Sequence, residues 1–158
     1  MKGRRFSLAQ QDEAILTLTS QADHRTLALW ARACAERVLP HFERTHPQDD
    51  RPRRALATLQ AWIDSGVFRM AEVRSASLAS HAAAREVGEG SAACSAARAA
   101  GQAVAVAHVW GHAIAAANYA LQAVHRTACP AGAAAAVTEE RQWQYQRLLA
   151  LVTEKAET

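Results

Sequence analysis

The sequence predicts an all-α protein, a compact bundle of about six or seven helices with alanine-rich central helices. Three observations predict it. About twenty of the residues between Ala71 and Val124 are alanine, which loses no side-chain entropy in a helix and heads the propensity scale. Apolar residues elsewhere recur at three- and four-residue spacing, the period of one helix face. Capping and breaking residues separate these segments, and no alternating strand pattern recurs. At 158 residues the length is that of one domain. We place that domain at residues 15–152, after a leader of residues 1–14 and before a polar tail of residues 153–158.

Taken in order, Ile15 to Thr19 alternates apolar residues with threonine and reads as a short extended lead-in. Ser20 and Asp23 have the spacing of a capping box. The helix that follows sets Leu27, Trp30, Cys34 and Val38 on one face and Arg25, Arg32 and Glu36 opposite, and Pro40 ends it. His41 to Gln48 is a connector. Asp49-Asp50-Arg51-Pro52 reads as a helix start, with proline where no amide partner is needed and acids at the positive end of the dipole. Leu56, Leu59, Trp62 and Ile63 form its inward stripe, and Ser65-Gly66 closes it.

A third long helix is predicted from Arg69 to Val87, ended by Gly88 and Gly90. Ser91 caps a fourth, running to about Val109. Gly111 predicts a break before a helix from about His112 to Arg126. Ala128 to Ala136, with Pro130 and Gly132, is a loop. Thr138 is read as the cap of a last helix that docks through Tyr145, Leu148, Leu149 and Val152.

The bulk numbers exclude several classes. The formal charge of +3 is concentrated in Lys2, Arg4 and Arg5 and in Arg51, Arg53 and Arg54. There is no continuous basic face with interleaved aromatics, so no nucleic-acid partner is expected. From Ala99 to His125 no Asp, Glu, Lys or Arg appears, a length that could span a bilayer. Gln102, His108, His112, Asn118 and Gln122 interrupt it, and buried polar groups are costly in lipid, so two helices of a soluble bundle are expected rather than a membrane span. The leader lacks an apolar core after its basic residues and reads as no signal peptide. Cys34, Cys94 and Cys129 are odd in number and widely spaced, as expected of small buried thiols in a reducing cytoplasm.

The chemistry-bearing residues stand out against the alanine background. His108 and His112 are four apart, the spacing of a helical zinc pair, but no Glu follows His108 and two ligands specify little. Neither a metal nor another cofactor is therefore expected. Arg74, Ser77, His81 and Arg85 form one helix stripe. An ion-pair network with Glu72, Glu86, Glu89 or Asp50 is the plainer reading of it, and a ligand or partner site the sharper one. Arg98 and Gln102 lie on the next helix, and Trp110 beside Gly111 is the aromatic expected to reach the surface. No nucleophile elbow or phosphate loop is present, so no catalytic residue is assigned.

Four blocks carry a family resemblance. They are Trp30-Ala31 with Cys34-Ala35-Glu36-Arg37-Val38-Leu39; Asp50-Arg51-Pro52-Arg53; Met70-Ala71-Glu72-Val73-Arg74 with Ala76, Ala79 and His81 through Glu86; and Ala97-Arg98 with Gly101-Gln102, His108-Val109 and His112-Ala113. Over roughly residues 15 to 150 the chain resembles a bacterial family of immunity-five-like, all-helical immunity proteins. The resemblance implies a non-catalytic protein that neutralises a protein toxin by binding it, with Arg74, His81, Arg85, Arg98, Gln102, His108, Trp110 and His112 as candidate contacts. A homo-oligomer joined through an alanine-rich face is also expected. The alternative is a small-ligand-binding or metal-binding helical protein, or an enzyme, with His81, Arg85, His108 and His112 in a pocket between helices.

Overall fold

The computed structural model describes residues 6–158, so the leader's Lys2, Arg4 and Arg5 lie outside the described residues. Seven longer helices and one single turn follow in order: α1 (Glu13–Gln21), α2 (His24–Val38), α3 (Pro40–Glu43), α4 (Arg51–Ser65), α5 (Met70–Glu86), α6 (Ala92–Ala105), α7 (His112–Thr127) and α8 (Ala133–Ala156). No strand occurs among the described residues. The all-α expectation holds.

Several boundaries differ from the sequence reading for local reasons. Ile15–Thr19 is helix, not an extended lead-in: the Asp12 carboxylate accepts the Ile15 N–H at 3.0 Å, and Ile15 and Leu18, three apart, turn inward together. Ser20 belongs to the last turn of α1, where its hydroxyl donates to the Thr17 carbonyl. The α2 cap is therefore Asp23 alone, which accepts the Thr26 N–H at 2.8 Å. Part of the predicted connector is the turn α3, with Pro40 at its start. Thr138 is no cap. It lies inside α8 and donates to the Ala134 carbonyl, because the preceding alanine run is already helical. The tail also stays helical to Ala156, where the Lys155 ammonium pairs with Asp23.

Other boundaries fall where expected. Gly66 ends α4 at φ 68°, a left-handed conformation that costs glycine little. Ser91 caps α6 by accepting the Cys94 N–H at 3.0 Å. Its end differs, since α6 stops at Ala105, short of the expected Val109: beyond it the chain tightens, with Val106, Ala107 and His108 donating to carbonyls three residues back, before α7 starts at His112 as expected. The uncharged run from Ala99 to His125 is thus two helices in contact with each other. No helix among the described residues is long and apolar enough to cross a membrane.

The core has two textures. Around α2, α3, α4 and α8 it is filled by Trp30, Leu39, Phe42, Leu56, Leu59 and Leu148, all fully buried. Trp30 Nε1 donates to the Gln144 carbonyl at 2.8 Å, and Gln144 Nε2 donates to the Ala117 carbonyl at 3.0 Å, so these two buried donors are satisfied. At the other end α6 runs through the middle of the bundle, against α5 and α7 above all. Ala93, Ala96, Ala97, Ala99, Ala100 and Ala103 are buried there. The alanine face of α6 is therefore occupied within the chain. Cys34 and Cys94 are buried as expected, but Cys129 is exposed, because it sits in the loop before α8. Burial pushes the Cys34 thiol well above its ordinary range, and the nearby Glu140 carboxylate adds to the effect.

Candidate functional site

Helices α5 and α6 are joined by two side-chain hydroxyls that reach the main chain of the neighbouring helix. Ser77 Oγ donates to the Gly101 carbonyl at 2.9 Å and Ser80 Oγ to the Ala97 carbonyl at 2.7 Å. Between these contacts the His81 ring lies against Gly101. A Cβ at that glycine would stand 2.7 Å from His81 Nε2, so only glycine leaves the ring its place. His81 Nδ1 is buried and has no hydrogen-bond partner among the described residues. Burial lowers the His81 pKa from its ordinary value, and the charges of Arg98, Arg85 and His112 lower it further. The ring is neutral at pH 7.

His112 stands at the start of α7, where its Nδ1–H donates to Gln102 Oε1 of α6 at 2.7 Å. Burial, and then the proximity of His108, lower its pKa as well. His81, Arg85, Arg98, Gln102 and His112 thus come together across three helices. Arg74 lies on the same flank of α5 as His81 and Arg85, by helix period and by its exposure.

His108 lies at the edge of that group, near His112 but turned away from it. The turn after Ala105 takes it off the face of His112, and its ring instead stacks on Phe68, with centroids 5.9 Å apart and planes 10° apart. The helical zinc-type pair does not form. No group of three or more His, Cys, Asp or Glu side chains able to hold a metal occurs among the described residues. Trp110 reaches the surface as expected and is 60% exposed. The Phe68–His108 stack brings the loop before α5 beside the loop before α7.

Sequence reasoning missed the apolar members of this surface. Val67, Phe68, Met70, Leu78 and Val109 are all exposed. A signal was available in Val67-Phe68, two large apolar residues directly after the closing Gly66 and outside any helix stripe. Met70, Arg74, Leu78, His81 and Arg85 share one flank of α5, so large apolar and basic side chains alternate along it.

The ion-pair network expected for the arginine stripe is absent. Among the described residues Arg74, Arg85 and Arg98 pair with no carboxylate. Three of the four expected partners are engaged elsewhere, Glu86 with Arg51, Glu72 with Arg69 and Asp50 with Arg54, while the Glu89 carboxylate joins no pair among the described residues. From Gly90 to Thr138 the chain carries no acidic residue at all. Arg126, at the far end of the same face, donates to the carbonyls of Glu89 and Ser91 and to Ser95 Oγ.

The fold and this site together define an all-α protein whose distinctive side chains are displayed across a helical surface. The chain belongs to the family described as Imm-5 like putative immunity proteins, whose model matches residues 17–151. No curated protein and no solved structure matches it.

Proposed function

We propose that this protein is a non-catalytic immunity protein that acts in the cytoplasm by binding a protein toxin through the α5–α6–α7 face. The observation that carries this reading is the pairing of free arginines with exposed Trp110 and Phe68 on one rigid surface. Tryptophan and arginine are the residue types that dominate binding energy at protein interfaces. Membership of the immunity family supplies the class of partner. A bound surface of this kind blocks a toxin by covering its active site, and no bond need be made or broken by the immunity protein.

The test is capture from lysates of toxin-producing cultures of the source cell, with the protein as bait and mass spectrometry as the readout. A captured protein that arrests growth when expressed alone, and ceases to do so on coexpression with the bait, supports the reading. Recovery of no growth-arresting protein from such cultures overturns it.

A further inference from the structure

We propose that the α5–α6–α7 face receives a carboxylate-rich protein surface, with an acidic side chain seated between Arg85 and Arg98 beside His81. Trp110 and Phe68 anchor the apolar edge of the same partner. The proposal rests on the immunity reading and names the chemistry of the partner.

Three independent features of the molecule point the same way. The first is charge. Elsewhere the chain neutralises several of its arginines within itself, as Arg53 between Glu36 and Glu43, Arg51 between Asp49 and Glu86 and Arg37 with Glu140, although Arg25, Arg44, Arg141 and Arg147 stand outside these pairs. On this face Arg74, Arg85 and Arg98 pair with no carboxylate among the described residues, and the stretch from Gly90 to Thr138 beside them has no acidic residue. Like charges held near one another repel, and an arriving carboxylate relieves that repulsion.

The second feature is His81. Its buried Nδ1 has no partner among the described residues, a condition shared only with Arg32 Nε of α2, although nearly every buried polar atom in a folded chain finds one. The third is texture. Met70 and Leu78 are 44% and 58% exposed and alternate with the basic residues, while Trp110 closes the loop end. Aromatic and arginine side chains around an apolar centre are the composition of a protein interface. Nucleic acid is disfavoured because aliphatic side chains interrupt the row of cations, whereas a phosphate backbone needs a continuous track. A second copy is disfavoured because two identical basic faces repel.

The test is an NMR titration of the full-length ¹⁵N-labelled chain with an end-blocked hexaglutamate peptide, run in parallel with a dodecauridine RNA, each at low and at high salt. The expected result is saturable shifts at Arg74, His81, Arg85, Arg98, Gln102 and His112 with the peptide, abolished at high salt. Arg85→Glu/Arg98→Glu weakens peptide binding at least about tenfold, while Arg147→Glu, exposed on α8, leaves it unchanged. Circular dichroism checks that the double variant is folded, and exposed Arg74→Glu is the fallback. Tighter binding of the RNA, shifts confined to α2–α4, or a dimer in size-exclusion chromatography that shields Trp110 would each overturn the proposal. The titration needs no toxin, so the two readings fail separately. A captured toxin held equally well by Arg85→Glu/Arg98→Glu removes the acid-receiving site and leaves the immunity reading standing. A peptide that titrates the face when no toxin is captured does the reverse.

Discussion

Two sides of this bundle handle the same residue type in opposite ways. On the side of α2, α4 and α8, Arg37 and Arg53 are structural parts. Arg37 makes a two-pronged contact with Glu140, at 2.6 and 2.9 Å, and its guanidinium lies 4.0 Å above the Trp143 ring. Arg53 bridges Glu36 of α2 and Glu43 of α3. On the side of α5, α6 and α7, Arg74, Arg85 and Arg98 have no acidic partner among the described residues and stand beside exposed aromatic and aliphatic groups. The difference teaches that charge count says little about a surface. The chain carries 18 basic and 15 acidic residues, and their segregation creates the basic face.

The largest effect that would sharpen this contrast is on stability. Arg37→Ala leaves Glu140, only 10% exposed at its side chain, without its partner. A loss of about 2–3 kcal/mol is expected. Arg85→Ala, on the bare face, is expected to change stability by less than about 0.5 kcal/mol. Urea unfolding of the two variants checks both, and equal losses would erase the distinction between the sides.

Next in size is binding. Trp110→Ala is expected to weaken a toxin complex by about 2 kcal/mol, or roughly thirtyfold, with unfolding unchanged within about 0.5 kcal/mol. Calorimetry on the captured complex reads the first quantity and a thermal melt the second. Smaller again is the contact of His81 with Gly101. Gly101→Ala alone is expected to displace the ring and to lose stability. In a His81→Ala background the same change should gain up to about 1 kcal/mol, the helix preference of alanine over glycine. A double-mutant cycle measures the difference.

The smallest effect is a separation of the two sides by pH. The pKa of His81 is lower folded than unfolded, so the unfolded chain binds more protons and stability is lost as pH falls below about 6.5. The groups facing it are Arg85 on its own helix, Arg98 on α6 and His112 on α7, none of which offers a negative charge. On the paired side Arg51 holds Asp49 and Glu86 below their ordinary values. Their contribution persists above about pH 4.5 and is lost only as pH falls through the lower folded values. Thermal melts of wild type and His81→Gln between pH 7 and 5 should therefore diverge, whereas Glu86→Gln should differ from wild type by an amount constant over that range.

Much of the fold was legible because its signals are local. Gly66, Ser91 and Gly111 mark boundaries by chemistry confined to a few residues, and the stripe of Leu56, Leu59 and Ile63 needs only the helix period. The misreadings are equally local in origin. Thr138 has the right neighbours for a cap, but the alanines before it propagate helix past that point. Ile15–Thr19 alternates like a strand, yet Asp12 and inward burial make it helix. The site was legible as a list of residues and illegible as an arrangement. Whether Arg74 and Arg85 are paired depends on where Arg51 and Arg69 draw Glu86 and Glu72, which is settled by contacts between helices. His108 and His112 share a face only if the turn between them is helical, and it is not.

The alanine packing of α6 also sets the direction in which this protein can change. Around Trp30 and Phe42 damage comes from removing bulk, which opens a cavity and costs about 3–5 kcal/mol. At Ala96, Ala97, Ala100 and Ala103 there is almost no bulk to remove. Nearly every substitution there adds atoms to an interior with no room, and must push α5 or α7 outward. Those are the helices that carry Arg74, His81, Arg85 and His112. The interior of this half of the molecule therefore acts as a spacer of set thickness: a single added methyl group beneath the face changes the separation of the side chains displayed above it, without altering any one of them.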